Sequence, residues 1–306
     1  MVKPTRERLQ VIIEGKRVDI THPDKMLWPN KGIDKRRYLL YLQEISNRML
    51  PFLRERDLTV IRYPHGAGGD KFFQKNCPDY APDFVRTHTT NDINYAICSD
   101  LATLLWLGNQ LAFEFHVPFE TIHSIGPSEI VMDLDPPDRD QFHLAVEAAL
   151  MIKDICSRLN LTTFVKTSGN KGLQIYIPLP ENAFTYQDTR RFTEFIADYL
   201  TETKPESFTT ERLKKNRGRK LYVDYLQHAE GKTIIAPYSV RGNDNALVAT
   251  PLEWREVNES LRPEQFSLEA VESRVKNSGD PFSAYFSAKQ NQPFQPVLRW
   301  LKQNGR

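Results

Sequence analysis

The sequence predicts an α/β protein. Segments with apolar side chains at helical spacing alternate with short β-branched and aromatic runs along nearly the whole chain. Two of those runs, in TTFVKTSGNKGLQIYIPL, are joined by a glycine loop as strand, loop, strand. No apolar run approaches the ~20 residues needed to span a bilayer, and with 40% hydrophobic and 26% charged residues in 306 the chain has enough apolar surface for a sizeable core. Disorder is thereby excluded for most of the chain, and so is a membrane partner.

Each element follows in order. LQVIIEGKRVDI is a hairpin, its apolar stretches flanking Glu14, Gly15 and Lys16. Asp34 caps a helix reaching about Arg56, with Tyr38, Leu42, Ile45 and Met49 as its buried stripe. LTVIRYP and INYAICS are strands, DLATLLWLGNQLA is a buried helix capped by Asp100, and FEFHVP is a short strand. EIVMDLDPP is a strand stopped by two prolines, and QFHLAVEAALMIKDICSRL is a helix. After the glycine loop come a long helix over TYQDTRRFTEFIADYLTE, a shorter one over FTTERLKKN, and strands at KLYVDYL and KTIIAPYS. Beyond Pro251 helical patches interrupted by Pro281 and Pro293 form a C-terminal flank without chemistry.

The net charge of +2 conceals basic runs, one over Lys214, Lys215, Arg217, Arg219 and Lys220 and another from Lys16 to Arg37. Such patches suit a polyanion, and equally a solvated surface. Cys77, Cys98 and Cys156 are too far apart for a zinc motif or disulfide framework, which fits a reducing cytoplasm. The N-terminal MVKPTRERLQ lacks the apolar core of a signal peptide.

Three segments carry chemistry. In IVMDLDPP, strand alternation puts Asp133 and Asp135 on one face and Ile130, Met132 and Leu134 on the other. Paired carboxylates repel unless a cation lies between them, and oxygen donors suit Mg²⁺ or Mn²⁺. The plainer alternative is a strand end whose Asp caps the next helix. Second, Ser168-Gly169-Asn170-Lys171-Gly172 brings backbone N–H groups, a hydroxyl and an ammonium to one loop, as an anion would require, although a simple hairpin turn uses the same residues. Third, Asp224 lies in an apolar strand, where a charge needs a metal or a cation such as Lys220, Lys232 or Arg241.

In this order, the Asp-x-Asp strand, Ser-Gly-x-Lys-Gly loop and later strand Asp resemble the archaeo-eukaryotic primase superfamily. THPDKMLWP, IRYPHG, FFQKN, CSDLATLLWLGNQLAFEFHVP, VDYLQHAEGKTIIAPYSVRG and PLEW make the chain similar, over about residues 10 to 285, to the polymerase domain of bacterial ligase D. The resemblance implies that Asp133, Asp135 and Asp224 are catalytic metal ligands. It implies that Ser168, Lys171, Gly172, Arg241 and His116 bind the nucleotide, that Phe72 and Phe73 stack on bases, and that Lys25 reads a DNA 5′-phosphate. Many relatives carry His where this chain has Gln174, which can still hydrogen-bond phosphate or sugar but does not change charge near neutrality. Read without the resemblance, His116, Phe72 and Phe73 are core residues and Lys25 a solvated cation.

The expected fold is therefore a primase-like catalytic core with an antiparallel sheet flanked by helices, and an N-terminal α/β module packed against it. Residues 1–306 form one primase-polymerase domain, divided into about 1–125, 126–250 and 251–306. The implied activity is a two-metal, Mn²⁺- or Mg²⁺-dependent nucleotidyltransferase that extends primers at DNA breaks in non-homologous end joining. The implied substrates are NTPs, preferred over dNTPs, and DNA ends bearing a 5′-phosphate; the implied partners are a Ku-like protein and an ATP-dependent DNA ligase. No Lys-x-Asp-Gly ligase motif and no phosphoesterase metal cluster is present, so the chain reads as a polymerase domain alone, free-standing or excised. Two rivals share the carboxylates: a two-metal nuclease or phosphatase, and a catalytically silent module that binds and bridges DNA ends.

Overall fold

The computed structural model describes residues 8–304; the first seven residues, on which part of the leader argument rests, lie outside it. Two compact units emerge. Unit 1 takes residues up to Val117 together with Ile235–Ala249 and Phe266–Ser278, and unit 2 takes Pro118–Ile234, Thr250–Gln265 and the chain from Gly279. These units are not contiguous blocks, because stretches after residue 234 return to complete unit 1.

Unit 1 opens with the hairpin β1 (Arg8–Ile13) and β2 (Lys16–Thr21), turned by Glu14 and Gly15, both at positive φ as a two-residue hairpin turn requires. A ribbon of β3 (Met26–Trp28) and β4 (Ile33–Asp34) leads into α1 (Lys35–Leu53), where Asp34 accepts from the Arg37 N–H at 2.7 Å as the cap the sequence predicts. Next come β5 (Thr59–Arg62), β6 (Phe72–Gln74), the hairpin β7 (Arg86–Thr90) and β8 (Ile93–Ile97), α2 (Leu101–Asn109) and β9 (Ala112–Pro118). Strand β5 is paired antiparallel to β6 on one side and β9 on the other. Trp28 and Tyr63 stack on Phe113 at 4.1 and 4.8 Å between centroids, forming an aromatic core behind β9.

Unit 2 is built on a sheet of order β13-β14-β10-β12-β11-β16. Its strands are β10 (Glu129–Asp135), β11 (Phe164–Thr167), β12 (Leu173–Pro178), β13 (Phe208–Thr209), β14 (Leu221–Asp224) and β16 (Pro251–Leu252); β15 (Thr233–Ile235) carries the chain back toward unit 1. Every pairing in that sheet is antiparallel except β13 with β14. Helices α3 (Phe142–Arg158) and α4 (Tyr186–Thr203) pack on the sheet, α4 starting with a Thr185–Asp188 capping box. After α5 (Leu268–Asn277) of unit 1 follow α6 (Tyr285–Gln290) and α7 (Phe294–Asn304). Among the described residues no helix is long and apolar enough to cross a membrane.

One expectation needs correction. FTTERLKKN is not a helix: Thr209 Oγ1 accepts from the Glu211 N–H and a Glu211 carboxylate oxygen from the Leu213 N–H, local bonds that compete with a helical ladder. What forms is β13 followed by a single 3-10 turn at Lys214–Asn216. Tyr285 is fully buried, gives its hydroxyl to Glu129 at 2.7 Å, and packs with Phe164, Tyr176 and Phe282 over one end of the face of β10 that carries the aspartates.

Candidate active site

The expected site residues divide between the units. In unit 2, Asp133 on β10 lies directly opposite Asp224, the last residue of β14, and Asp135 opposite Tyr222. Since directly paired residues share a face, as do residues two apart on a strand, all three carboxylates emerge on one side of the sheet. The opposite side buries Ile130, Met132 and Leu134 completely. Among the described residues no group of three or more His, Cys, Asp or Glu side chains stands ready-made around a metal position; here each carboxylate engages the protein. Asp133 Oδ1 accepts from Gln174 Nε2 at 3.0 Å. Asp135 faces Lys171 at 3.0 Å and Arg217 at 3.8 Å. Asp224 accepts from the Tyr222 hydroxyl at 3.1 Å, a partner absent from the cations weighed for it.

These neighbours set the electrostatics. Burial raises the Asp224 carboxyl above its ordinary value, the Tyr222 hydrogen bond and the Arg217 charge oppose that, and Asp135 adds to it. Burial and then the Asp224 charge push the Tyr222 phenol up to about 12. Arg217 lies 3.7 Å from the centroid of the Tyr222 ring, which fixes its guanidinium beside the acidic face.

The glycine loop joins β11 to β12. Ser168 Oγ accepts from the N–H groups of Asn170 and Gly172 at 3.3 and 3.0 Å, closing the loop on itself. A Cβ on Gly172 would fall 2.2 Å from the Leu134 carbonyl oxygen, so only glycine lets the loop lie against the aspartate strand. Lys171 Nζ donates to the carbonyls of Pro136 and Pro137 as well as meeting Asp135, which ties the loop to the end of β10. Gln174, expected at the nucleotide, is 2% exposed and bonded at both ends of its amide.

In unit 1, His116 and Arg241 meet at one carboxylate. Glu114 Oε2 is 2.7 Å from Arg241 and 3.1 Å from His116 Nε2, while Oε1 accepts from the Tyr63 hydroxyl at 2.6 Å and the Gly242 N–H at 3.3 Å. Burial alone would raise the Glu114 pKa; the His116 bond, the Arg241 charge and the Tyr63 bond outweigh it and hold the group ionised well below the usual range. Gly242 is required here, as a Cβ would sit 2.0 Å from the Tyr63 ring. Phe72 and Phe73 are 43% and 67% exposed on β6, so the core-aromatic alternative is wrong. Lys25 is half-buried and donates to the Pro64 carbonyl.

Glu114, Lys166, Arg217 and Tyr222 join the candidate site only in the structure. Two carried a usable signal: Glu114 is an acid between two phenylalanines, and Lys166 is the lone charge in an apolar strand.

Residues 34–282 match the family described as LigD, primase-polymerase domain. The chain belongs to the LigD primase-polymerase family. It is 52% identical over 300 residues to the Bifunctional non-homologous end joining protein LigD of Bacillus subtilis (strain 168), covering 98% of this chain and 48% of that protein. To the Multifunctional non-homologous end joining protein LigD of Mycolicibacterium smegmatis it is 33% identical over 272 residues, covering 86% of this chain and 35% of that protein. The chain thus spans about half, or about a third, of the relatives it matches. A solved structure, Polymerase Domain from Mycobacterium tuberculosis Ligase D in complex with DNA, superposes with a TM-score of 0.81 at 30% identity over 90% of this chain and 99% of that one. The mixed α/β fold and the nucleotidyltransferase class expected from the sequence both stand with this family.

Proposed function

We propose that this LigD primase-polymerase chain extends primer 3′ ends at DNA breaks or gaps during end joining, using NTPs in preference to dNTPs. The observation that carries the reading is the acidic face of unit 2, with Asp133 and Asp224 directly opposed and Asp135 beside them. The donor set fits Mg²⁺ or Mn²⁺: three carboxylates on one face, two of them directly paired, with the half-buried Asp224 carboxyl raised above its ordinary value first by burial and also by Asp135. Bound there, two divalent ions would supply Lewis acidity to the 3′-hydroxyl and the triphosphate.

The chain's own residues do the rest. Asp133, Asp135 and Asp224 would hold the ions. Lys171, which meets Asp135 and the carbonyls of Pro136 and Pro137, would offer its ammonium to a phosphate oxygen, and the Ser168 hydroxyl and Gly172 N–H line the same loop. In unit 1, His116 and Arg241, fixed by Glu114, are basic groups suited to a nucleotide phosphate, while Phe72 and Phe73 offer exposed rings to bases and Lys25 a cation to the 5′-phosphate of a DNA end. A Ku-like end-binding protein and an ATP-dependent DNA ligase are the partners this role requires.

The test is primer extension on gapped and overhanging DNA with each NTP or dNTP and Mn²⁺ or Mg²⁺. Asp133→Ala, Asp135→Ala and Asp224→Ala should each cut extension by about 10³-fold or more while leaving DNA binding intact. Full activity in any of them overturns the three-carboxylate site. A shortened primer points instead to a two-metal nuclease, and binding without extension by the wild type to a silent end-bridging module.

A further inference from the structure

Four residues stand side by side across the unit 2 sheet. Lys166 on β11 pairs with Gln174 on β12, Gln174 with Asp133 on β10, and Asp133 with Asp224 on β14. Their side chains share one face, and two of the three links are hydrogen bonds: Lys166 Nζ donates to Gln174 Oε1 at 2.6 Å, and Gln174 Nε2 donates to Asp133 Oδ1 at 3.0 Å. Lys166 is 0% exposed and Gln174 is 2% exposed. A buried ammonium is tolerated only where acceptors and opposite charge answer it, and here the opposite charge is reached through the amide.

The chemistry makes this chain of bonds directional. An ammonium only donates, so Gln174 must turn its oxygen toward Lys166 and its NH₂ toward Asp133. A flipped amide would set NH₂ against NH₃⁺ and oxygen against carboxylate. One oxygen of Asp133 is thus held in place by a group that is itself locked from behind. To reach a nucleotide, Gln174 would have to break both bonds, one of them to a buried cation.

We propose that Lys166 and Gln174 are positioning residues for the metal-binding carboxylate Asp133, with the Lys166 ammonium fixing the Gln174 amide and that amide fixing one carboxylate oxygen. This rests on Asp133 being a metal ligand. Gln174 then acts through Asp133 and does not touch the substrate. Outer partners of this kind are worth about 10- to 100-fold in metal affinity or activity.

The experiment measures Mn²⁺ affinity by electron paramagnetic resonance, without nucleotide or DNA, and separately kcat and KM for the nucleotide. Gln174→Leu should weaken Mn²⁺ binding about tenfold or more and lower kcat, with KM for the nucleotide within about twofold of wild type. Lys166→Met, which frees the amide to rotate, should move the same quantities in the same direction by less. Gln174→His should restore them, because a neutral imidazole accepts at one nitrogen and donates at the other, as the amide does. Thermal melts confirm that each protein is folded; should Gln174→Leu melt below the assay temperature, Gln174→Met, unbranched and similar in length, replaces it. Unchanged Mn²⁺ affinity with a raised KM in Gln174→Leu overturns the proposal and returns Gln174 to the nucleotide. Asp133→Asn separates the two levels: normal Mn²⁺ binding there sinks the metal-ligand reading itself, whereas loss in Asp133→Asn with retention in Gln174→Leu sinks only the positioning role.

Discussion

The two units solve opposite electrostatic problems by the same means. In unit 2 the groups on offer are acids, and the cation behind them, Lys166, is fully buried and reaches them through Gln174. In unit 1 the groups on offer are the bases Arg241 and His116, and the acid behind them, Glu114, has a side chain only 4% exposed. In each case a buried counter-charge aims the more exposed ones. The difference lies in the link. Glu114 touches its cations directly and is held ionised by them, while Lys166 is hydrogen-bonded to the neutral amide of Gln174, which in turn donates to Asp133.

The largest effect should come from removing the anionic hub of unit 1. Glu114→Ala removes the carboxylate that Arg241, His116 and Tyr63 share, and chemical denaturation should show a loss of about 3 kcal/mol, typical of breaking a buried pair. A loss under ~0.5 kcal/mol, the size of an ordinary surface change, would mean that Glu114 does not organise the cluster. Arg241→Ala, by contrast, leaves the hub in place and should act on substrate: KM for the nucleotide should rise about tenfold, as for one charge-assisted contact, with DNA affinity unchanged. An unaltered KM there would move the triphosphate contact elsewhere.

Smaller effects sharpen the comparison on the DNA side. Lys25→Ala should remove a preference of about tenfold for 5′-phosphate over 5′-hydroxyl ends, read by paired titrations at one salt concentration. Equal affinity of the wild type for both ends removes end recognition from Lys25. Phe73→Ala should weaken binding to single-stranded overhangs about fivefold or more, at the low end of a base-stacking contribution, without changing the melting temperature, since the ring is 67% exposed. A lowered melting temperature with unchanged binding would return Phe73 to a structural role.

Much of this was legible in the sequence. The alternation in IVMDLDPP placed the carboxylates on one face because strand periodicity is local, and Asp34 and Asp100 announced their helices because capping is local too. The rows across the sheet were harder to read. Lys166 meets Gln174 only once the register of β11 against β12 is known, and Asp133 meets Asp224 across 91 positions of chain. FTTERLKKN failed for another reason: its polar side chains bind nearby backbone and divert a segment whose spacing alone is helical. The exposure of Phe72 and Phe73 also eluded composition, since β6 is a three-residue edge strand that no periodicity could reveal.

One consequence concerns synthesis on the ribosome. The chain changes unit five times, at Val117/Pro118, Ile234/Ile235, Ala249/Thr250, Gln265/Phe266 and Ser278/Gly279. Unit 1 is therefore incomplete until α5 emerges, with Glu272 to meet Arg37 on α1, and unit 2 until α7 can dock on α4. Neither half can mature while the other is being made, so an early-synthesised strand such as β10 waits with an open edge for β14 to emerge. A nascent chain of this kind is exposed to mispairing and to chaperone capture until those partners emerge, and its yield should depend on elongation rate more than that of a protein whose domains finish in sequence.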